Sequence, residues 1–443
     1  MSEFPAKSEL ESLITRSLDE ARRLGATAAD AGVSVDSGLS VTVRLGEVET
    51  LEHHRDRGLG ITVYLGQRKG SATTGDLHWP AVAETIAKAV SMARYAAEDP
   101  YAGLPDPADQ ATDIPDLDLD HPWALDVESA IRIAKESEAA ALATDPRITN
   151  SEGASVAAQR GLKVYGNSQG FLAGFPSTYY SQSCVVVASE GETMERDYWY
   201  TAARAGEALE PPAHVGRVAA ERTVRRLGAR RLATTRAPVL FVPEVARGLI
   251  GHFLAAIRGS SQYRKSSFLL DAAGTQVFPA FMRIEEQPHL PRALGSAPFD
   301  SEGVATRDRV LVDDGVLTGY VLNSYAARKL NLRTTGNAGG VHNLIVRAGS
   351  DDLPALLKTM QRGLVVTELM GQGVNGVTGD YSRGAAGFWV EGGQIAYPVN
   401  EITIAGNLKT MLKTIVAVGA DVDRRASLIT GSLLLDEMTI AGE

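Results

Sequence analysis

The residue types that most often carry hydrolytic or metal chemistry are sparse and scattered in this chain. There are eight histidines, and none stands in a His-x3-His pair that would aim two imidazoles from one helix face at a metal ion. Glu285, Glu286 and His289 could supply carboxylates and an imidazole, but Pro288 and Pro291 break any helix that would present them together. His252 lies one turn beyond Arg247, on a stretch whose Val245, Leu249, Phe253 and Ile257 read as a buried helical stripe. A histidine there reads as hydrogen-bonded or exposed. Cys184 is the single cysteine, within a probable-strand run Ser183-Cys184-Val185-Val186-Val187, so it reads as a small buried hydrophobe. It permits no internal disulfide and no cysteine zinc cluster. A serine-nucleophile reading is set aside because no Gly-x-Ser-x-Gly elbow is read in the chain. Asp380-Tyr381-Ser382-Arg383 offers an acid, two hydroxyls and a cation, but arginine accepts no proton. Binding or ion pairing suits that run better than catalysis.

The stretch Gly371 to Gly393, GQGVNGVTGDYSRGAAGFWVEGG, holds eight glycines in 23 residues. Val374, Val377, Tyr381, Phe388, Trp389 and Val390 interleave them, so the segment has side chains to bury and is no flexible spacer. Two readings stand: a glycine-kinked β-meander without a ligand, or an ordered wall of a cleft that accepts an extended chain. On the second reading Gly376 and Gly379 are expected at positive φ, with Asp380 and Arg383 clamping peptide backbone or a partner loop. Arg264 and Lys265, in the polar run Ser260 to Ser267, are expected to face the cleft or a partner, next to a Phe268-Leu269-Leu270 strand.

These residues must be positioned by a chain of 443 residues, long enough for two or three domains. The expected fold class is α+β: residues 1–98 form an N-terminal mixed helix and antiparallel-sheet domain, 124–236 a central α+β domain, and 237–443 a strand-rich C-terminal domain. Helices are expected over Ser8 to Leu24, Pro80 to Ala97, Asp126 to Thr144, His214 to Leu227 and Asp352 to Gly363. Short strands cluster between Ala31 and Thr73, with Asp36-Ser37-Gly38 and Gly66-Gln67 read as turns. Asp314-Gly315 and Glu391-Gly392-Gly393-Gln394 read as hairpin turns. Residues 99–123 read as an extended, solvated linker with five prolines and seven aspartates; its aspartates lack the glycine and terminal glutamate of a calcium loop.

The net charge of −10 argues against a general binder of nucleic acid or anionic membrane. Arg222, Arg225, Arg226, Arg230 and Arg231 make one basic stripe on a probable helix, read as a solvated face or a protein contact. No run of 18 apolar residues and no secretory leader are seen, so the expected location is cytoplasmic.

The stretch from Thr367 to Asn407 resembles the PmbA (TldE) branch of the TldD/PmbA family of metallopeptidase subunits. Tyr263 to Leu269, Pro298 to Gly303, Ser324 to Leu330 and Glu437 to Gly442 agree with it, and the resemblance runs from about residue 8 to the C-terminal end. In the family's zinc-bearing subunit a strand leads into a helix carrying His-Glu-x-x-x-His, with a further ligand at a Cys-Gly pair near the C-terminus. Set against that pattern, Val242 and Arg247 stand for the histidines, Pro243 for the glutamate and Thr430 for the cysteine. Valine has no donor atom, arginine stays protonated, and threonine is a poor zinc ligand. The resemblance therefore implies no metal and no catalytic residue in this chain. It implies a heterodimer with a TldD-like partner that carries zinc, acting on unfolded or extended peptides. The family is associated with trimming a microcin precursor, degrading an antitoxin and a link to DNA gyrase. Two alternatives stay open: a peptide-binding or scaffold protein without proteolysis, and a homo-oligomeric peptidase with a remodelled metal site.

Overall fold

The computed structural model describes residues 4–442. Its first half is built on one antiparallel sheet. Helix α1 (Lys7–Arg23) is followed by β1 (Ala28–Arg44), β2 (Glu47–Leu65), β3 (Arg68–Thr74) and α2 (Trp79–Tyr95). Then come α3 (Val127–Thr144), β4 (Ile148–Asn167), β5 (Leu172–Glu190), β6 (Thr193–Ala203) and α4 (Pro212–Val224). The strands order as β3-β2-β1-β4-β5-β6, so the sheet runs unbroken from the N-terminal into the central region through the long pairing of β1 with β4. Alternation assigns the faces. Ala29, Ala31, Val33, Leu59 and Ile61 are buried in a core with Ile14 of α1 and Ile86 of α2, and farther along the sheet Val41, Val156 and Cys184 share another with residues of α3 and α4. Cys184 is fully buried, and burial pushes its thiol up to about 12.

The expected turn at Asp36-Ser37-Gly38 is not formed: these residues pair on both sides in the middle of β1. Small residues at the crossing let neighbouring side chains lie over the strand. A Cβ on Gly38 would fall 2.1 Å from the His54 ring, and one on Gly161, opposite Asp36, 2.3 Å from its carboxylate. Nor is the 99–123 connection merely solvated. Arg328 donates to the carbonyls of Tyr101, Gly103 and Leu104, and the Tyr325 hydroxyl donates to Asp99. Leu104, Leu117 and Leu119 are buried beneath the strap.

The second half comprises β7 (Thr235–Phe241), α5 (Pro243–Ile257), α6 (Gly259–Tyr263), β8 (Ile284–Glu286), β9 (Arg309–Asp313), β10 (Val316–Leu317), α7 (Ser324–Lys329), β11 (Leu344–Val346) and α8 (Leu353–Met360). It ends with β12 (Gly363–Met370), β13 (Asp380–Glu391), β14 (Gln394–Asn407), α9 (Leu408–Lys413), β15 (Ile415–Val418), β16 (Leu428–Ile429) and β17 (Leu433–Ala441). Strands β14-β13-β12-β7-β17 form one sheet whose ends meet, because Thr403 to Ala405 of β14 pair with β17; the result is a closed five-stranded barrel, with β15 hung from β17. Closure removes the exposed edge on which a flat sheet would aggregate. A smaller sheet, β10-β9-β8-β11-β16, packs beside it. Both hairpin turns form as read, with Asp314 and Gly315, and Gly392 and Gly393, all at positive φ. The fold is thus α+β, as the clustered antiparallel strands require. Phe268-Leu269-Leu270 is a buried-to-exposed turn and not a strand. Among the described residues no helix is long and apolar enough to cross a membrane.

Candidate functional site

The four positions set against a zinc motif lie at one place. Val242 is the N-cap of α5 with extended backbone, and Pro243 opens the helix, where its missing N–H costs nothing. One turn on, Arg247 Nη2 donates to Asp423 Oδ2 at 2.7 Å and to the Tyr200 hydroxyl at 2.9 Å. Asp423 Oδ1 accepts from Arg425 Nε at 2.9 Å, and the Asp423 amide donates to the carbonyl of Thr430, which is fully buried. Arg425 also donates to the Tyr200 carbonyl at 2.7 Å and lies 4.0 Å over the Trp199 ring, closing the outer edge of β6. Glu244 sits 3.3 Å from Arg425 and 3.4 Å from Arg222. A cavity of about 500 Å³ opens beside this lattice, between β6, α4 and the mouth of the barrel.

A divalent cation does not fit here. Among the described residues no group of three or more His, Cys, Asp or Glu is arranged to hold one. The Asp423 side chain is 5% exposed and already held by two guanidiniums, which would repel a metal ion. Burial works against ionisation of Asp423, but the hydrogen bonds from Arg425 and the charge of Arg247 hold its carboxyl below the usual range.

The basic stripe takes its partners from the same region. Arg222 faces Asp197 and Glu244, and Arg226 reaches Glu195, Asp197 and, at 2.6 Å, Glu368 of β12. Arg225 and Arg230 lie over the rings of Phe388 and Tyr397. Helix α4 ends at Val224, so the stripe is only partly helical, and it clamps the first sheet to the barrel. Arg222 and Arg226 thus make a contact between parts of this chain, while Arg225, Arg230 and Arg231 stay exposed.

The glycine segment follows β12, which runs parallel to β7, so it leaves the barrel at the same end as α5. Residues 371–379 form an ordered loop before β13: Val374 bridges to Tyr381, Ser382 N donates to Gly373 O at 2.7 Å, and Asn375 Oδ1 caps the amides of Val377 and Thr378. Phe268 N donates to Gly376 O at 3.0 Å, so the loop holding Arg264 and Lys265 packs against the glycine loop. Those two basic residues are exposed, with Lys265 at φ 55°. The structure thus brings the two segments together, but it separates Asp380 from Arg383. Asp380 and Ser382 are exposed on one face of β13, whereas Tyr381 is buried and Arg383 half-buried on the other. Asp380 instead accepts from Thr378 and Asn407, which hold its carboxyl below the usual range. Tyr381 packs edge-on against His252, and burial lifts its hydroxyl to about 12. Burial, with the nearby Arg383 charge, keeps His252 neutral-leaning, its pKa lowered. Of the two glycines expected at positive φ, only Gly379 has it (+85°); Gly376 does not, and a Cβ there would meet nothing.

Sequence reasoning missed Asp423, Arg425, Tyr200 and Trp199, since nothing in a sequence links residues 247 and 423 across so many positions. It also passed over Gly166-Asn167-Ser168-Gln169-Gly170, a Gly-x-Ser-x-Gly stretch. That stretch turns between two strands, β4 and β5, and Ser168 Oγ accepts from the Ala29 amide, so it is no nucleophile elbow.

Three domain models of the PmbA/TldA metallopeptidase family match consecutive parts of the chain: domain 1 at 29–93, the central domain at 120–227 and the C-terminal domain at 234–442. The metalloprotease PmbA of Escherichia coli O157:H7 is 53% identical over 94% of this chain and 92% of its own length. The chain belongs to the PmbA/TldD metallopeptidase family, in its PmbA branch. A PmbA homologue of Haemophilus influenzae is 48% identical over 98% of this chain and 97% of its own. Among solved structures, one from Bacteroides thetaiotaomicron superposes with a TM-score of 0.93 at 29% identity, covering 98% of this chain and 99% of that one. TldE from Thermococcus kodakarensis, at 19% identity, shares the fold with a TM-score of 0.83 over 97% of this chain and 100% of its own.

Proposed function

We propose that this chain is the metal-free subunit of a cytoplasmic two-chain zinc metallopeptidase, in which a TldD-like partner carries the zinc and the water-activating base. Its own part is to complete the chamber and to hold unfolded or extended peptides. The observation that carries this reading is the arginine–carboxylate lattice around Asp423, which fills with fixed cations the place where the family's metal ligands would converge. One metal centre suffices for hydrolysis, so a related pair of chains can keep its ligands in only one member. Relatives named metalloproteases support the reaction class. The glycine loop, with Arg264 and Lys265 packed beside it, supplies an ordered polar surface suited to main-chain recognition of peptides.

The test is co-purification with a TldD-like chain, elemental zinc quantification and cleavage of unfolded casein. The expected result is no zinc and no cleavage by this chain alone, and chelator-sensitive cleavage by the pair. Stoichiometric zinc in the isolated chain, with chelator-sensitive activity, would instead support a remodelled homo-oligomeric enzyme. Peptide binding without cleavage by either preparation would support a scaffold.

A further inference from the structure

A second cavity, of about 770 Å³, lies between the open face of the first sheet and the loops 297–301 and 338–342. Its floor follows from strand register. Thr73, Gly60, Gly32 and Tyr165 form one cross-strand row, and Gly58, Ser34, Lys163 and Phe175 form the next. Three glycines in two adjacent rows leave the backbone bare. Their own packing does not demand it: a Cβ on Gly32 would lie 3.9 Å from its nearest neighbour, on Gly58 3.7 Å and on Gly60 3.6 Å, all ordinary contacts, and none has positive φ. What the missing side chains leave is room in the cavity.

The walls and roof are fixed. Phe175 and Phe299 meet edge to face at 5.5 Å, and Phe171 meets Phe299 at 5.2 Å. The buried Asp300 carboxylate accepts from the amides of Glu302, Val304 and Ala338, tying the two roof loops together. Lys163 is exposed at the rim, and no hydrogen bond or ion pair of its ammonium is found among the described residues. A flat apolar body can lie on bare backbone against aromatic rings, and an anion on that body would meet the ammonium of Lys163 or the guanidinium of Arg57, the two exposed cations of the lining.

We propose that this cavity binds an aromatic ring bearing a carboxylate, presented by a small molecule or by the C-terminal residue of a peptide. Three probes separate the sources by isothermal titration on the full chain: N-acetyl-phenylalanine, 3-phenylpropionate and N-acetyl-phenylalaninamide. Either acid should bind with a Kd of about 1 mM or below. The amide should bind at least about tenfold more weakly, since it lacks the charge-assisted contact. Tighter binding of N-acetyl-phenylalanine than of phenylpropionate identifies a peptide terminus, and the reverse a small molecule. The double variant Arg57→Gln, Lys163→Gln, at two exposed positions, should reduce binding of the acids about tenfold. The double variant Gly32→Ala, Gly60→Ala should abolish it with an unchanged melting temperature. Acid and amide binding equally, saturation by neither acid at about 10 mM, or acid binding unaltered in the Arg57→Gln, Lys163→Gln variant would overturn the proposal.

Discussion

The two principal cavities of this molecule differ in what their polar groups are doing. In the cleft beside α5, arginines and carboxylates hold one another: Arg247 and Arg425 share Asp423, Glu244 lies between Arg425 and Arg222, and Arg226 bridges three acids. In the cavity over the first sheet, the floor is bare backbone and the rim lysine is unengaged. Both spaces are large enough for a ligand, so volume does not distinguish them. Engagement does, because a group already paired must lose a partner before it can bind anything else. The charged cleft is accordingly read as the place where two halves of the chain are locked, and the bare one as the place with binding capacity left.

The sharpest way to break this contrast is to remove the centre of the lattice. Asp423→Ala leaves two largely buried guanidiniums without their shared carboxylate and should cost about 3–5 kcal/mol in urea unfolding at pH 7. Asp423→Asn, which keeps an acceptor oxygen, should cost less. The sign with pH follows from the depressed folded pKa. The Asp423 contribution is complete above the unfolded carboxylate value and is lost as acidification passes through the lower folded value. The difference between wild type and Asp423→Asn should therefore shrink only at strongly acidic pH. Equal stability of wild type and Asp423→Ala at pH 7 would mean that the lattice is not a lock.

The open face of the first sheet predicts the opposite sign. Asp30 shares that face with Gly32 and Ser34 and is met by Tyr64, Lys69 and Glu302. Burial pushes its carboxyl up to about 7. The folded state therefore holds this proton more tightly than the unfolded one, and the Asp30 contribution to stability declines as pH rises from about 4 to about 7. Asp30→Asn should remove that decline, gaining on wild type by on the order of 1–3 kcal/mol between pH 5 and pH 8. Thermal melts across that range read it directly, and parallel pH profiles for the two proteins would show that Asp30 is not enclosed.

What the sequence made legible was local. Helical stripes such as Leu10, Ile14 and Ala21, the two glycine hairpins and the buried strand around Cys184 all announce themselves within a window of a few residues. What it concealed was relational. Asp36-Ser37-Gly38 has turn composition, yet tertiary pairing on both sides of β1 overrides that propensity. The near-3.6 spacing of the basic stripe suggests a helix face, whereas its partners are carboxylates of β6, α5, β12 and Glu401 of β14. At the candidate site, the positions 242, 243, 247 and 430 were found through resemblance, and Asp423 and Arg425 appeared only when folding brought them beside α5. The glycine-floored cavity was invisible because its glycines lie on separate strands and meet only through register.

The glycine loop offers a smaller and more local test. Gly379 stands at φ +85° with Phe268 Cβ 3.3 Å from where its own Cβ would be, so Gly379→Val should cost about 1–3 kcal/mol and loosen the contact between the 371–379 loop and residues 266–270. Gly376→Val faces open space without positive φ and should stay within about 0.5 kcal/mol of wild type. Peptide capture by the proposed two-chain complex then separates the two readings of the segment. Weakened capture by Gly376→Val at unchanged stability marks the loop as a cleft wall, and unchanged capture marks it as a structural meander.

The smallest stability effect is expected at Arg264 and Lys265. Both are exposed, Arg264 lies over the Tyr263 ring at 5.6 Å, and no ion pair ties either to the fold among the described residues. Lys265 already has φ 55°, so alanine there trades one side chain for another at the same backbone cost. The double variant Arg264→Ala, Lys265→Ala should therefore melt as wild type does, within about 0.5 kcal/mol. Its effect should fall on function, because the loop is anchored to the glycine segment by the Phe268 amide and Gly376 carbonyl and presents two free cations beside it. Cleavage of an extended peptide by the proposed two-chain complex should drop, more at low salt than at high salt, since exposed charges act over a Debye length of about 10 Å at 0.1 M. Undiminished cleavage at both salt concentrations would place substrate on another face of the molecule.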